Sequence, residues 1–263
     1  MRQGITDAVK HLLIINVVFW IGTLAIGTHG DVFTNLFAEH FPLNKDFKFW
    51  QIISHMFMHA SYVNTGNGPT IFILHILFNM FGLWMFGTPI EQRLGTKKFL
   101  FLYISAGLGA VILPLAINFY NFYSITSDLS AAGFETDKVI SMMNDGKYFE
   151  EWIDVIGLES FKELDSIFNS SALGASGCVM GLLVAFGMMF PNTPLMIIFL
   201  PIPIKAKYFI PLILGYEIIS GFIGGSSMFG FNVGHFAHVG GAITGFIIMY
   251  FWKKNEKDKY RWN

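Results

Sequence analysis

The sequence predicts an all-α, polytopic membrane protein built as one six-helix bundle, and three observations carry that prediction. Only 13% of the 263 residues are charged, about half the share of an ordinary soluble domain. Aromatic residues reach 17%, with 29 phenylalanines, and the mean hydropathy is +0.52. The charges are also segregated: segments 12–27, 70–87, 99–117, 171–190, 208–223 and 235–252 together hold a single one, Glu217. A bilayer imposes that partition, because an ionised side chain at mid-membrane is costly.

In chain order, the first segment follows Arg2 and Lys10 and ends near Ala25, the layout of a secretory leader. Five more apolar segments follow it, so it is read as a retained helix. The second to sixth segments are each long enough to cross hydrocarbon, some at the short limit. Between the third and fourth lies residues 118–170, with ten acids and three bases. This stretch is predicted to be a soluble insert at the outer face, with short amphipathic helices near Val139–Phe149 and Ile153–Phe168. Pro191, Pro194, Pro201 and Pro203 punctuate a turn between the fourth and fifth segments. With the N-terminus inside, cytoplasmic connections hold twelve Lys and Arg and the outer ones five, which predicts that both termini are cytoplasmic. The expected location is an integral, multi-pass position in a bacterial inner membrane.

Several function classes drop out. The net charge is −1 with no basic block, so nucleic acid is not an expected partner. One cysteine, Cys178, excludes an internal disulfide and multi-thiolate metal sites; it is read as a packing residue. His235 and His238 are three apart, but no carboxylate with ligand spacing accompanies them and no His-Glu-x-x-His motif exists. No metal and no cofactor are expected.

The second, fourth and sixth segments enter from the same side and carry unusual polar residues soon after entry. His75 and Asn79 lie on the second, Ser176 on the fourth and His238 on the sixth, roughly 5 to 13 Å below the segment starts at 1.5 Å per residue. Singly, each has a structural explanation: a serine bonding its own backbone, a histidine satisfying a neighbouring helix. Spacing adds information. His75 and Asn79 are four apart and share a helix face. Gly177 with Gly181, and Gly241 with Gly245, form small-xxx-small stripes that permit close helix packing. Such packing would bring Ser176 to His238, and an imidazole can remove the proton that a serine must lose to become a nucleophile. Glu217 is the only acid in these segments, so a full Ser-His-acid triad is not expected; a protonated or interhelically bonded structural glutamate is, with substrate gating as the alternative role.

Gly174-Ala175-Ser176-Gly177, His75-Ile76-Leu77-Phe78-Asn79 and Ala237-His238-Val239-Gly240-Gly241 resemble the three signatures of the rhomboid intramembrane serine proteases in order, spacing and segment number. Ile90-Glu91-Gln92-Arg93-Leu94-Gly95 resembles the family's stretch after its second helix. The resemblance implies Ser176 as nucleophile and His238 as general base in a dyad. It implies His75, Asn79 and the Ser176 N–H as the oxyanion hole, Gly174 and Gly177 as catalytic-loop glycines, and transmembrane segments of other membrane proteins as substrates. Membrane lipid is the surrounding partner, and Phe78 and Phe222 are candidate lateral gates.

Three departures stand out. Gln51 follows Trp50 where the family often has arginine, Met180 stands where an aromatic commonly stacks on the catalytic histidine, and segments 60–73 and 118–170 are longer than in compact relatives. Two rival readings are a catalytically inactive rhomboid-like binder or escort, which a missing dyad residue would favour, and an ion-coupled transporter, which predicts internal repeats that the sequence lacks. Oligomeric state is not encoded legibly, because glycine stripes serve internal packing as well as dimerisation.

Overall fold

The computed structural model describes residues 4–66, 68–197, 200–223 and 234–259. Arg2 and Arg261, counted above among the cytoplasmic charges, lie outside them. The chain is mostly helical. Among the described residues the bundle is built from α1 (Asp7–Ala25), α4 (Leu74–Leu94), α5 (Thr96–Ala131), α9 (Ser176–Met189), α10 (Ala206–Ile223) and α11 (His235–Lys259). Three of them, α1, α5 and α10, are long and apolar enough to cross a membrane, and α9 is a shorter apolar helix. Their outward faces carry Ile14, Val18, Ile112, Leu212, Ile219 and Phe251, all exposed, a density of surface hydrophobics that water does not tolerate and lipid does.

The core forms where α9 packs against α4, α5, α10 and α11. Two rows of glycine make its closest contact. A β-carbon at Gly241 would collide with the carbonyl oxygen of Gly177, and one at Gly245 would lie 2.5 Å from that of Gly181. The α9 and α11 backbones therefore touch directly. At the far end, Glu91 on α4 accepts the N–H groups of Ala8 and Val9 at 3.2 and 3.1 Å and the Thr96 hydroxyl at 2.7 Å. It caps the first turn of α1, whose N–H groups have no helical partner, and ties α1 to the α4–α5 corner.

The third helix differs from expectation. Rather than ending at 117, α5 continues to Ala131, 36 residues in all, about 54 Å at 1.5 Å per residue. No glycine or proline interrupts residues 118–131. The stop comes at Gly133 (φ +95°), where the Phe134 N–H bonds Leu129 O and the Gly133 N–H bonds Ser130 O, a paired closure that needs a left-handed residue. α6 (Thr136–Asn144), α7 (Glu151–Ile156) and α8 (Leu158–Asn169) fold back on this extension. Phe122, Leu129, Val139, Trp152, Leu164 and Phe168 close a second apolar core there.

Between α1 and α4 the chain forms α2 (Asp31–Phe37), β1 (Glu39–His40), α3 (Gln51–Ser54), a 3-10 turn (His55–Phe57) and the hairpin β2 (Tyr62–Thr65) with β3 (Gly68–Ile71). β1 pairs antiparallel with β4 (Ser171–Ala172), which delivers the chain to α9. Gln51 anchors the loop without a charge. Its Nε2 donates to Asn35 O and Asp46 O at 3.0 Å each, and its Oε1 accepts Lys48 N–H at 2.9 Å. The proline-marked connection after α9 is also more than a turn: β5 (Pro194–Ile197) and β6 (Leu200–Lys205) pair as an antiparallel ribbon. Two-stranded ribbons accept proline because each strand has an unpaired edge.

Glu39 is buried, and burial pushes its carboxyl up to about 7. The fold therefore favours the protonated acid. The stability this confers is fully present below the unfolded value near 4.5 and is lost as pH rises through about 7, a span worth about 3 kcal/mol. Thermal unfolding in detergent is expected to weaken from pH 5 to pH 8 in the wild type, and Glu39→Gln is expected to flatten that slope. Parallel slopes for the two proteins would show that Glu39 does not titrate in this range.

Candidate active site

A cavity of about 890 Å³ opens at the end of the bundle that carries α6–α8. Its walls include Glu39, His55, His75, Gly174, Ser176 and His235. Three helix starts converge on it: His75 is the second residue of α4, Ser176 the first of α9 and His238 the fourth of α11.

The approach to Ser176 is set by Gly174, whose φ of +132° is a backbone state that side chains resist. Its N–H bonds His55 O at 2.9 Å. The space a β-carbon would fill there lies 3.4 Å from Ser176 Oγ and 3.6 Å from His75 Nε2. One small group thus fits within reach of both side chains, and a residue other than glycine would occupy its place. Because α9 begins at Ser176, the N–H groups of Ser176 and Gly177 have no helical acceptor, and the positive end of the helix dipole faces the cavity.

The tautomer of His75 follows from its partner. The Ala60 N–H donates to His75 Nδ1 at 3.0 Å; Nδ1 is therefore the lone-pair nitrogen, and the ring proton sits on Nε2, the nitrogen nearer Ser176. Asn79 lies one turn further along α4. Its side chain donates to His75 O at 2.8 Å, and it does not line the cavity. His55 Nδ1 donates to Gln51 O at 2.9 Å, and His59 Nε2 donates to Asn16 Oδ1 at 2.8 Å.

The Gly177–Gly241 contact brings together the helix starts that carry Ser176 and His238; His238 itself does not line the cavity, and neither of its ring nitrogens makes an aligned hydrogen bond. Catalytic hydrogen bonds are commonly loose before substrate arrives. The sequence leads us to expect an interhelical bond for Glu217, and this histidine is one of its neighbours. Glu217 reaches across from α10, its Oε2 lying 3.0 Å from His238 Nδ1 and 2.7 Å from His235 Nδ1. The spacing rule missed it because the contact joins two helices with no shared motif; its being the only charge in the apolar segments was the available signal. Glu39 was missed for the same reason, since only the β1–β4 pairing brings it to the cavity wall. Among the described residues no cluster of His, Cys, Asp and Glu could hold a metal.

Lipid-compatible helices around a cavity of about 890 Å³ define a polytopic membrane protein. The rhomboid domain profile matches residues 46–135 and 148–255, most of the chain, and the protein belongs to the rhomboid family. It is 26% identical over 195 residues to the rhomboid protease GlpG of Haemophilus influenzae, covering 71% of this chain and 94% of that one. It is 26% identical over 137 residues to rhomboid-like protease 1 of Toxoplasma gondii, covering 50% of this chain and 42% of that one. A 55-residue stretch is 42% identical to GlpG of Yersinia pestis, covering 21% and 16% respectively. The chain spans less than half the length of the Toxoplasma relatives it matches.

Proposed function

We propose that this protein is an intramembrane serine endopeptidase that hydrolyses transmembrane segments of other membrane proteins. The carrying observation is the single small space over Gly174, 3.4 Å from Ser176 Oγ and 3.6 Å from His75 Nε2, the position a scissile carbonyl needs between a nucleophile and an oxyanion donor. Six spans with both termini cytoplasmic place this cavity at the outer face, and the insert caps it there. Water reaches the cavity from that side, since the hydrocarbon supplies none.

In the reaction, His238 Nε2 removes the proton of Ser176 Oγ as the oxygen adds to the carbonyl carbon. The oxyanion is received by His75 Nε2–H and the free N–H groups at the start of α9, donors already fixed before reaction. Collapse of the intermediate breaks the C–N bond, His238 passes its proton to the departing amine, and an acyl-enzyme on Ser176 remains. Water, activated by the same imidazole, releases the acid product. A helical substrate must unwind first, because its peptide carbonyls are sealed in helical hydrogen bonds. Lateral entry past α10 fits the exposure of Phe222, which stands edge-on to Phe236 of the cavity wall; Phe78 is the corresponding gate position on α4.

The test is cleavage of a single-span reporter by protein reconstituted in lipid. Wild type should cut it and Ser176→Ala should not; binding without cleavage by both would instead favour an escort. Within an active enzyme, His75→Ala is expected to lower kcat by about a hundred- to a thousandfold with little change in KM. Asn79→Ala should cost less, because its amide already serves His75 O. Equal losses in the two variants would argue against His75 as the direct donor.

A further inference from the structure

We propose that Glu217 is the positioning residue of His238, so that this chain works with a Ser176–His238–Glu217 array where its motifs alone read as a dyad. The inference rests on the reading of Ser176 and His238 as the reacting pair. Its geometry, however, stands apart from the motifs. Glu217 is buried on α10, its Oε2 lying 3.0 Å from His238 Nδ1. An ionised carboxylate only accepts hydrogen bonds, so a contact at this distance selects the tautomer with the proton on Nδ1. That leaves the lone pair on Nε2, the nitrogen that must receive the serine proton.

His235 completes the arrangement. It lies three residues before His238 on the same face of α11, and its Nδ1 is 2.7 Å from the same Oε2. A buried carboxylate needs such donors to persist, and the second imidazole fixes Glu217 independently of the first. Glu217 is therefore held in place whether or not His238 turns. When His238 takes the serine proton, the carboxylate also faces the new positive charge across 3.0 Å, an interaction made only in the transition state and the intermediate.

The experiment compares Glu217→Gln and Glu217→Asp with wild type, as full chains in lipid, by reporter kinetics and by the ¹⁵N spectrum of histidine-labelled protein, with His238→Asn used to assign the His238 signals. Glu217→Gln keeps size and removes charge; it is expected to lower kcat by about 10²- to 10⁴-fold with KM within about twofold. Glu217→Asp, which keeps the charge, should recover part of that loss. The spectrum should show His238 as Nδ1–H in wild type and a changed tautomer balance in Glu217→Gln. A kcat for folded Glu217→Gln within about threefold of wild type, or an unchanged His238 tautomer, overturns the proposal. Wild type that cuts no reporter would remove the protease reading instead, and the tautomer measurement would still decide whether Glu217 positions His238.

Discussion

His238→Ala is expected to abolish reporter cleavage to the same floor as Ser176→Ala, a loss on the order of 10⁴- to 10⁶-fold in kcat. The size follows from the absence of a substitute base among the neighbouring histidines. His75 has its lone pair on Nδ1, already accepting from Ala60 N–H, and presents a proton toward Ser176. His55 is buried, which lowers it to about 4, and its Nδ1 is committed to Gln51 O. His235, held through Nδ1 on Glu217, keeps an Nε2 lone pair, so His235→Ala is added to His238→Ala to show that it supplies no base. With His238 removed, the hydroxyl of Ser176 keeps its proton, and the remaining rate comes from oxyanion donors and substrate binding alone. The double variant Ser176→Ala with His238→Ala should therefore be no slower than either single one, since the two residues act as a unit. Additive losses would mean that they do separate jobs. Retained cleavage in His238→Ala would move the base elsewhere and sink the proposed mechanism.

Ser176, His75, His238 and the glycines around them were legible because short-range rules place them: a helix start, a four-residue face, a small-xxx-small stripe. Their grouping was legible only through resemblance, because no periodicity says which helices touch. What the sequence hid is what long-range pairing creates. Glu217 looked like a structural residue because its partners lie 18 and 21 positions away on another helix. Glu39 carried no signal until β1 paired with β4, over a hundred residues on. Asn79 shows what spacing leaves open: the four-residue offset from His75 that puts both on one face also lets its amide bond His75 O. The end of the third helix was hidden because falling hydropathy ends an apolar segment without ending a helix. Residues 118–131 lose apolar character while keeping helix-compatible side chains, so α5 runs on until Gly133 permits the turn.

Gly241→Ala is expected to disable the enzyme without touching any reacting group. The added methyl meets the Gly177 carbonyl oxygen, and its nearest neighbours are all backbone atoms of Gly177, which no rotamer change can move aside. The helices must separate, which costs about 1–3 kcal/mol when a packed interior is overfilled. Separation acts directly on the site, for Gly177 adjoins Ser176 and Gly241 follows His238 by three residues. Misplacing a nucleophile from its base by about 1 Å lowers rate by about a hundredfold, so kcat should fall by that order while KM changes little. Gly215→Ala supplies the contrast. It lies within α10, and a β-carbon there meets nothing within 4 Å. It should leave activity intact and raise helix stability slightly, by up to about 1 kcal/mol. Thermal unfolding and reporter kinetics of the two variants separate a general intolerance of alanine for glycine from a contact that sets the distance between Ser176 and His238. Equal activity in both would show that α9 and α11 can part without disturbing the pair.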